Sequence, residues 1–169
     1  MRASLVLAIG LLAAAPVLAQ LADYEKEQRA NWTELKVDLP AFPSDDALIP
    51  FEAAMGSNNR FFVDGQTLRV DADGVVRYAL VVRAGGGATS VSYEGIRCLS
   101  GERRLYATGR NDRTWAPSRV SDWRPIPFDN KANHYVVLYR DFFCPERVAP
   151  TRRDNLLRAI RSGRSLYER

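Results

Sequence analysis

Cys98, His134 and Cys144 are the residues of this chain best suited to covalent chemistry, because an imidazole that activates a thiol makes a nucleophile, as thiol proteases and acyltransferases require. They are also few: one histidine and two cysteines in 169 residues. Two cysteines in a chain whose first 19 residues read as an export signal most simply join each other, and a joined sulfur attacks nothing. A Cys98–Cys144 disulfide is therefore expected. His134, beside Asn133 at the start of a helical pattern, is expected to cap or pack. No stretch brings together a nucleophile, a base and an orienting group, and none has metal-ligand or phosphate-loop spacing. The sequence thus assigns no catalytic residue, no metal and no cofactor.

Glu94, Arg97, Arg140 and Asp141 flank the two cysteines, so a bridge would draw these charges together, with His134 nearby. This is the candidate polar site. Paired arginine and carboxylate suit recognition of a small anionic or peptide ligand, since the planar guanidinium fork matches a carboxylate at two points. The plainer reading is a salt-bridge network where sheet meets helix. Asp71 and Asp73 suggest calcium, but the loop lacks the further acidic positions that a calcium loop needs, and a turn is the better reading. Asn31-Trp32-Thr33 matches a glycosylation triplet of a kind that arises often by chance.

Met1-Arg2, the apolar run from Leu5 to Val17 and the small-x-small pattern Val17-Leu18-Ala19 read as a secretory signal peptide over residues 1–19. The run is about 13 residues, short of the roughly 20 that span a bilayer, and no later stretch is longer. Cleavage after Ala19 would leave 169 − 19 = 150 residues beginning at Gln20, with a net charge of +3 once Arg2 is removed from the precursor's +4. This length suits one core, and the modest charge names no nucleic-acid partner. The address implied is periplasmic or secreted. Between Glu146 and Arg169 seven arginines face three acids, a basic end suited to anionic lipid or a cell-wall surface.

The elements that must position these residues centre on Val75–Cys98. Val76, Tyr78, Leu80 and Val82 share one face of a strand that Arg77 and Arg83 interrupt on the other. Gly85-Gly86-Gly87 turns the chain into a second strand carrying Val91 and Tyr93. After Gly95 the apolar phase moves to Ile96 and Cys98, which predicts a one-residue bulge at the glycine. Upstream, residues 20–50 form a polar to proline-rich arm, and Asp64-Gly65 predicts a tight hairpin between strands at 61–63 and 67–70. Downstream, strands are expected over 103–107 and within 114–123. Tyr135, Leu138, Tyr139 and Phe142 then recur at helical steps, with Asn133 as N-cap and Pro145 past the end. A last helix over 151–162 places Leu156, Leu157 and Ile160 on one arc, with Gly163 as its stop.

Phe61-Phe62-Val63-Asp64, Asp73-Gly74-Val75-Val76-Arg77-Tyr78, Tyr93-Glu94-Gly95-Ile96-Arg97-Cys98 and Leu138-Tyr139-Arg140-Asp141-Phe142-Phe143-Cys144-Pro145 occur in one order. Together they resemble the CNP-one-like family of proteobacterial exported proteins, over roughly Leu39 to Pro145. The resemblance implies an envelope address and a single uncharacterised domain, with no catalytic role to carry over. The chain departs from the family pattern at Gly85-Gly86-Gly87, where a more polar turn is usual.

The expected architecture is α+β: an antiparallel meander of five or six strands with two C-terminal helices packed on it. The domain would run over 51–163, with a basic tail at 164–169. The expected function is that of a non-enzymatic envelope protein acting as a binding or accessory module. The alternatives are a small envelope hydrolase using carboxylates such as Glu94 and Asp141, and a structural docking partner of an envelope complex. A shared pocket for the two acids would favour the hydrolase, an apolar cleft without converging acids ligand binding, and a flat basic face docking.

Overall fold

The structure is a computed structural model that describes residues 30–53, 58–130 and 133–164, together with Gln20, Asp23, Lys26 and Glu27. The signal-peptide segment and all but Arg164 of the basic tail lie outside the described residues. The chain divides into two units, Met1–Thr33 and Glu34–Arg169. In the first, Gln20, Asp23, Lys26, Glu27 and Ala30 are helical and exposed.

The second unit is an eight-stranded antiparallel sheet followed by two helices. Its path runs β1 (Leu48–Phe51), β2 (Arg60–Asp64), β4 (Val75–Arg83), β5 (Thr89–Arg97), β6 (Glu102–Gly109) and β7 (Trp115–Pro117). Two-residue strands flank it: β3 (Arg69–Val70) pairs with β4, and β8 (Arg124–Pro125) with β6. The expected meander and C-terminal helices are present. The strand expected over 67–70 is the short β3, and the additional strands are β8, too short for periodicity to register, and β1, interrupted in sequence by Pro50, which an edge strand tolerates.

β4 and β5 pair continuously from Val75↔Arg97 to Arg83↔Thr89. Of the three glycines between them only Gly87 takes a positive φ, at 91°. No bulge lies at Gly95 in this pairing. The register shifts on the other side of β5, between Tyr93 and Glu94, where β6 carries the additional residue Tyr106. Cys98 therefore does point away from Val91. The apolar phase changes along β5 because both faces of the sheet are covered, by different parts of the chain.

On one face Val76, Tyr78, Leu80, Ile96 and Cys98 meet the helices in the main core. On the other Ala79, Tyr93, Tyr106 and Ala107 form a smaller cluster against Val37 and Trp115. Here Gly95 admits Tyr106, whose hydroxyl would lie 2.6 Å from a Cβ at that position. The proline-rich stretch lies over this face: Trp115 Nε1–H donates to the Pro40 carbonyl at 2.9 Å, and the Phe42 and Trp115 rings are 4.9 Å apart.

The hairpin expected at Asp64-Gly65 is not formed. β2 and β3 both pair with β4, at Val63↔Leu80 and Arg69↔Arg77, so they are successive pieces along one edge. Between them the Asp64 carboxylate accepts the Gln66 and Thr67 amides, and the Thr67 hydroxyl accepts the Ala79 N–H at 2.9 Å in place of a strand carbonyl. A side chain that mimics the ladder turns the chain without reversing it.

Helix α1 (His134–Val137) begins at Asn133, whose side chain accepts the Tyr135 amide. It then widens into a π-helical segment, Leu138–Phe143, closed by Cys144 N–H to the Tyr139 carbonyl at 2.9 Å. Leu138, Tyr139, Phe142 and Phe143 are all buried within it. Helix α2 (Arg153–Ser162) buries Leu156, Leu157, Ala159 and Ile160 and ends at Gly163.

Candidate functional site

The cysteines are joined: Cys98 and Cys144 form a disulfide with their Cα atoms 5.1 Å apart. It ties the end of β5 to the end of the π-helical segment, and no thiol faces His134.

Among the charges expected near the bridge, strand alternation separates Glu94 from Arg97. Glu94 faces the helices and is 3% exposed. Its carboxylate accepts from the Ser92 hydroxyl at 2.6 Å, Tyr135 at 3.2 Å and Tyr78 at 3.3 Å. Burial pushes its pKa up, and these donors with the Arg103 charge restrain the rise. Arg97, on the opposite face, pairs with Glu102 at 2.6 Å and lies over the Trp123 ring. Arg140 and Asp141 are on the exposed side of the π-helical segment, the former over Phe128.

His134 lies beside Tyr135, a Glu94 donor whose ring centroid is 4.0 Å from its own, and it stacks on Phe61 at 5.2 Å. Burial, with the Arg103 charge, lowers its pKa from 6.5 to about 4. It packs as expected, as a neutral ring.

A second polar cluster was not foreseen from sequence. Arg77 is 1% exposed and donates to Asp71 at 2.6 Å and to Asp73 at 2.7 Å. Burial opposes its charge, yet these carboxylates raise its pKa well above the arginine range. Glu34 also reaches it, at 3.4 Å, and accepts from Arg104, Tyr106 and Trp123. One carboxylate thus pins the arm to the sheet. An arginine within an otherwise apolar strand was the available signal, since a buried charge requires partners and the Asp71–Asp73 turn supplies two.

The third feature is open. A cavity of about 490 Å³ lies between β1 and α2, lined by residues 46–50, by Gly65 and Gln66 beside them, and by Arg153, Leu157 and Arg161 of α2. Arg153, Leu157 and Arg161 recur every fourth residue and so line one helix stripe. Arg153 is tied to the Gly65 and Leu68 carbonyls, whereas Arg161 is exposed and makes no ion pair among the described residues. The Ser44 hydroxyl lowers the pKa of Asp46 at the opposite lip, keeping it ionised. None of the described cavities contains Glu94 or Asp141.

These features define a small, disulfide-tied α+β protein whose sheet is covered on both faces, with its open cleft at one sheet edge. The CNP1-like family model matches residues 27–161, and the chain belongs to that family. No curated protein and no solved structure matches the chain. No helix among the described residues is long and apolar enough to cross a membrane.

Proposed function

We propose that this protein is a non-enzymatic binding or accessory module of the bacterial envelope, periplasmic or secreted, that takes its ligand in the cleft between β1 and α2. The cleft carries the reading: it is open and joins an apolar wall at Leu157 to the Arg161 guanidinium, which has no ion pair among the described residues, the mixture typical of small-molecule sites. The disulfide supports the address, since such bonds persist in oxidising compartments. Enclosure of Glu94 by two tyrosines and a serine counts against a hydrolase that works through Glu94 and Asp141. The exposed arginines of α2 and Arg164 would hold the module near anionic lipid or cell-wall surfaces.

The test is recovery from the native envelope. Mass analysis should find a chain beginning at Gln20 in the envelope fraction, and immobilised protein should retain an envelope component that Arg161→Glu protein does not. An intact Met1 in the cytosol would refute the address, and identical retention by both forms would refute the cleft.

A further inference from the structure

We infer that the ligand of the β1–α2 cleft is a short peptide bearing a free carboxylate, held by Arg161, and a free ammonium, held by the outer edge of β1. This rests on the cleft being the binding site, and goes on to the chemistry its two walls can recognise.

The free backbone edge of β1 offers acceptors alone, and the Gln66 carboxamide that also lines the cavity can donate or accept. Gly65 N–H donates to the Ala47 carbonyl at 2.9 Å, and the pairs that follow are Leu48↔Asp64, Ile49↔Val63, Pro50↔Phe62 and Phe51↔Phe61. In an antiparallel ladder, hydrogen-bonded pairs alternate, so Ala47, Ile49 and Phe51 bond inward, and Leu48 and Pro50 turn their backbone polar groups to the free edge. The Leu48 N–H is already given to the Asp45 carbonyl, and Pro50 has none. Two carbonyls remain, about 7 Å apart at the usual strand rise, beside the ionised Asp46. A partner strand would need donors as well as acceptors from β1, so strand addition is disfavoured. A cationic donor fits.

The α2 wall is its complement. Arg161 and Arg153 present guanidinium groups on either side of Leu157, and no carboxylate is among the α2 residues that line this cavity. A ligand cation alone would face two arginines, and an anion alone would leave Asp46 and two carbonyls without a donor. A molecule carrying both, with a small apolar part over Leu157, satisfies the two walls together. The volume of about 490 Å³ suits a molecule of that size.

The probes are trialanine, trialanine amide, N-acetyl-trialanine and phosphatidylglycerol vesicles, applied to wild-type, Arg161→Ala and Asp46→Asn protein by calorimetry and amide chemical shifts. Thermal melts check that the variants are folded. Trialanine should bind with shifts at 46–50 and 153–161. The amide should bind at least ~10-fold more weakly, the loss of one charge-assisted contact. Arg161→Ala should weaken trialanine to the level of the amide and leave the amide unchanged, while Asp46→Asn should narrow the gap between trialanine and its acetylated form. Equal binding of trialanine and its amide would overturn the inference. So would Arg161-dependent vesicle binding without peptide binding, which would make the site one for anionic lipid. If no peptide binds but envelope material is still retained through Arg161, the cleft stands as a site and the peptide assignment falls. If that retention is also absent, both fall.

Discussion

His134 is a neutral ring stacked on Phe61, and its lowered pKa makes it a source of acid sensitivity. Above about pH 6.5 neither folded nor unfolded chain protonates it. Between 6.5 and the folded value of about 4, the unfolded chain takes up a proton that the folded one refuses, so stability falls as pH falls across that window. The full loss is at most roughly 3 kcal/mol. Glu94 works oppositely: its folded pKa is raised, so its contribution is present at low pH and is lost as pH rises through that folded value. From pH 7 to 4, denaturant midpoints should therefore fall less in His134→Phe than in wild type and fall more in Glu94→Gln. A wild-type curve indistinguishable from that of His134→Phe would exclude the histidine as the source. At this scale the sequence was legible where one residue type has one plausible use, as with the two cysteines and the Asn133 cap. It was not legible at Glu34, a single acid in a polar stretch whose four donors come from two different strands and a loop.

At the scale of elements, period-two alternation located β4 and β5, because each strand side meets one environment along its length. The same alternation misplaced the bulge. A rule that assumes one buried face reads the step from Tyr93 to Ile96 as a slip, whereas here the apolar residues simply belong to two cores, one under the helices and one under the arm. The Asp64-Gly65 hairpin failed for a related reason: turn chemistry specifies a local bend, whereas β4 remains the partner of both flanking strands, with the Thr67 hydroxyl on the Ala79 amide between them. The arm is the element most dependent on a single side chain. Glu34→Ala should leave Arg77 with its two aspartates, remove the acceptor shared by Arg104, Tyr106 and Trp123, and cost about 1–3 kcal/mol. Hydrogen exchange should show Leu35 and Val37 amides losing protection while α1 and α2 keep theirs, with a shift in tryptophan emission from Trp123. Uniform loss of protection would mean that the arm and the helical face unfold as one unit.

For the whole molecule, the two sheet faces are held differently. The arm face depends on Glu34 and its donors, whereas the helix face is held by a covalent tie that closes a sequence separation of 46 residues between Cys98 and Cys144. In the chain-entropy view such a loop removes roughly 4 kcal/mol of unfolded-state freedom, an upper figure because native strain subtracts from it. Against a total stability on the order of 5–15 kcal/mol, that is a large share. The bond also fixes the end of the π-helical segment, whose backbone pattern is uncommon and relies on tertiary support. Replacing both cysteines by serine should lower the melting midpoint on the order of 10 °C, while far-ultraviolet circular dichroism at low temperature stays native, because the Tyr78 and Phe143 rings, 5.0 Å apart, still pack. Loosening should begin in the π-helical segment, so exchange at 138–144 should rise before exchange in β4 or β5. Peptide mapping without reductant gives the direct check on wild-type protein from an oxidising compartment: a Cys98–Cys144 linked fragment is expected. Two titratable thiols in folded, exported protein would refute the bond, and with it the compartment argument built on it.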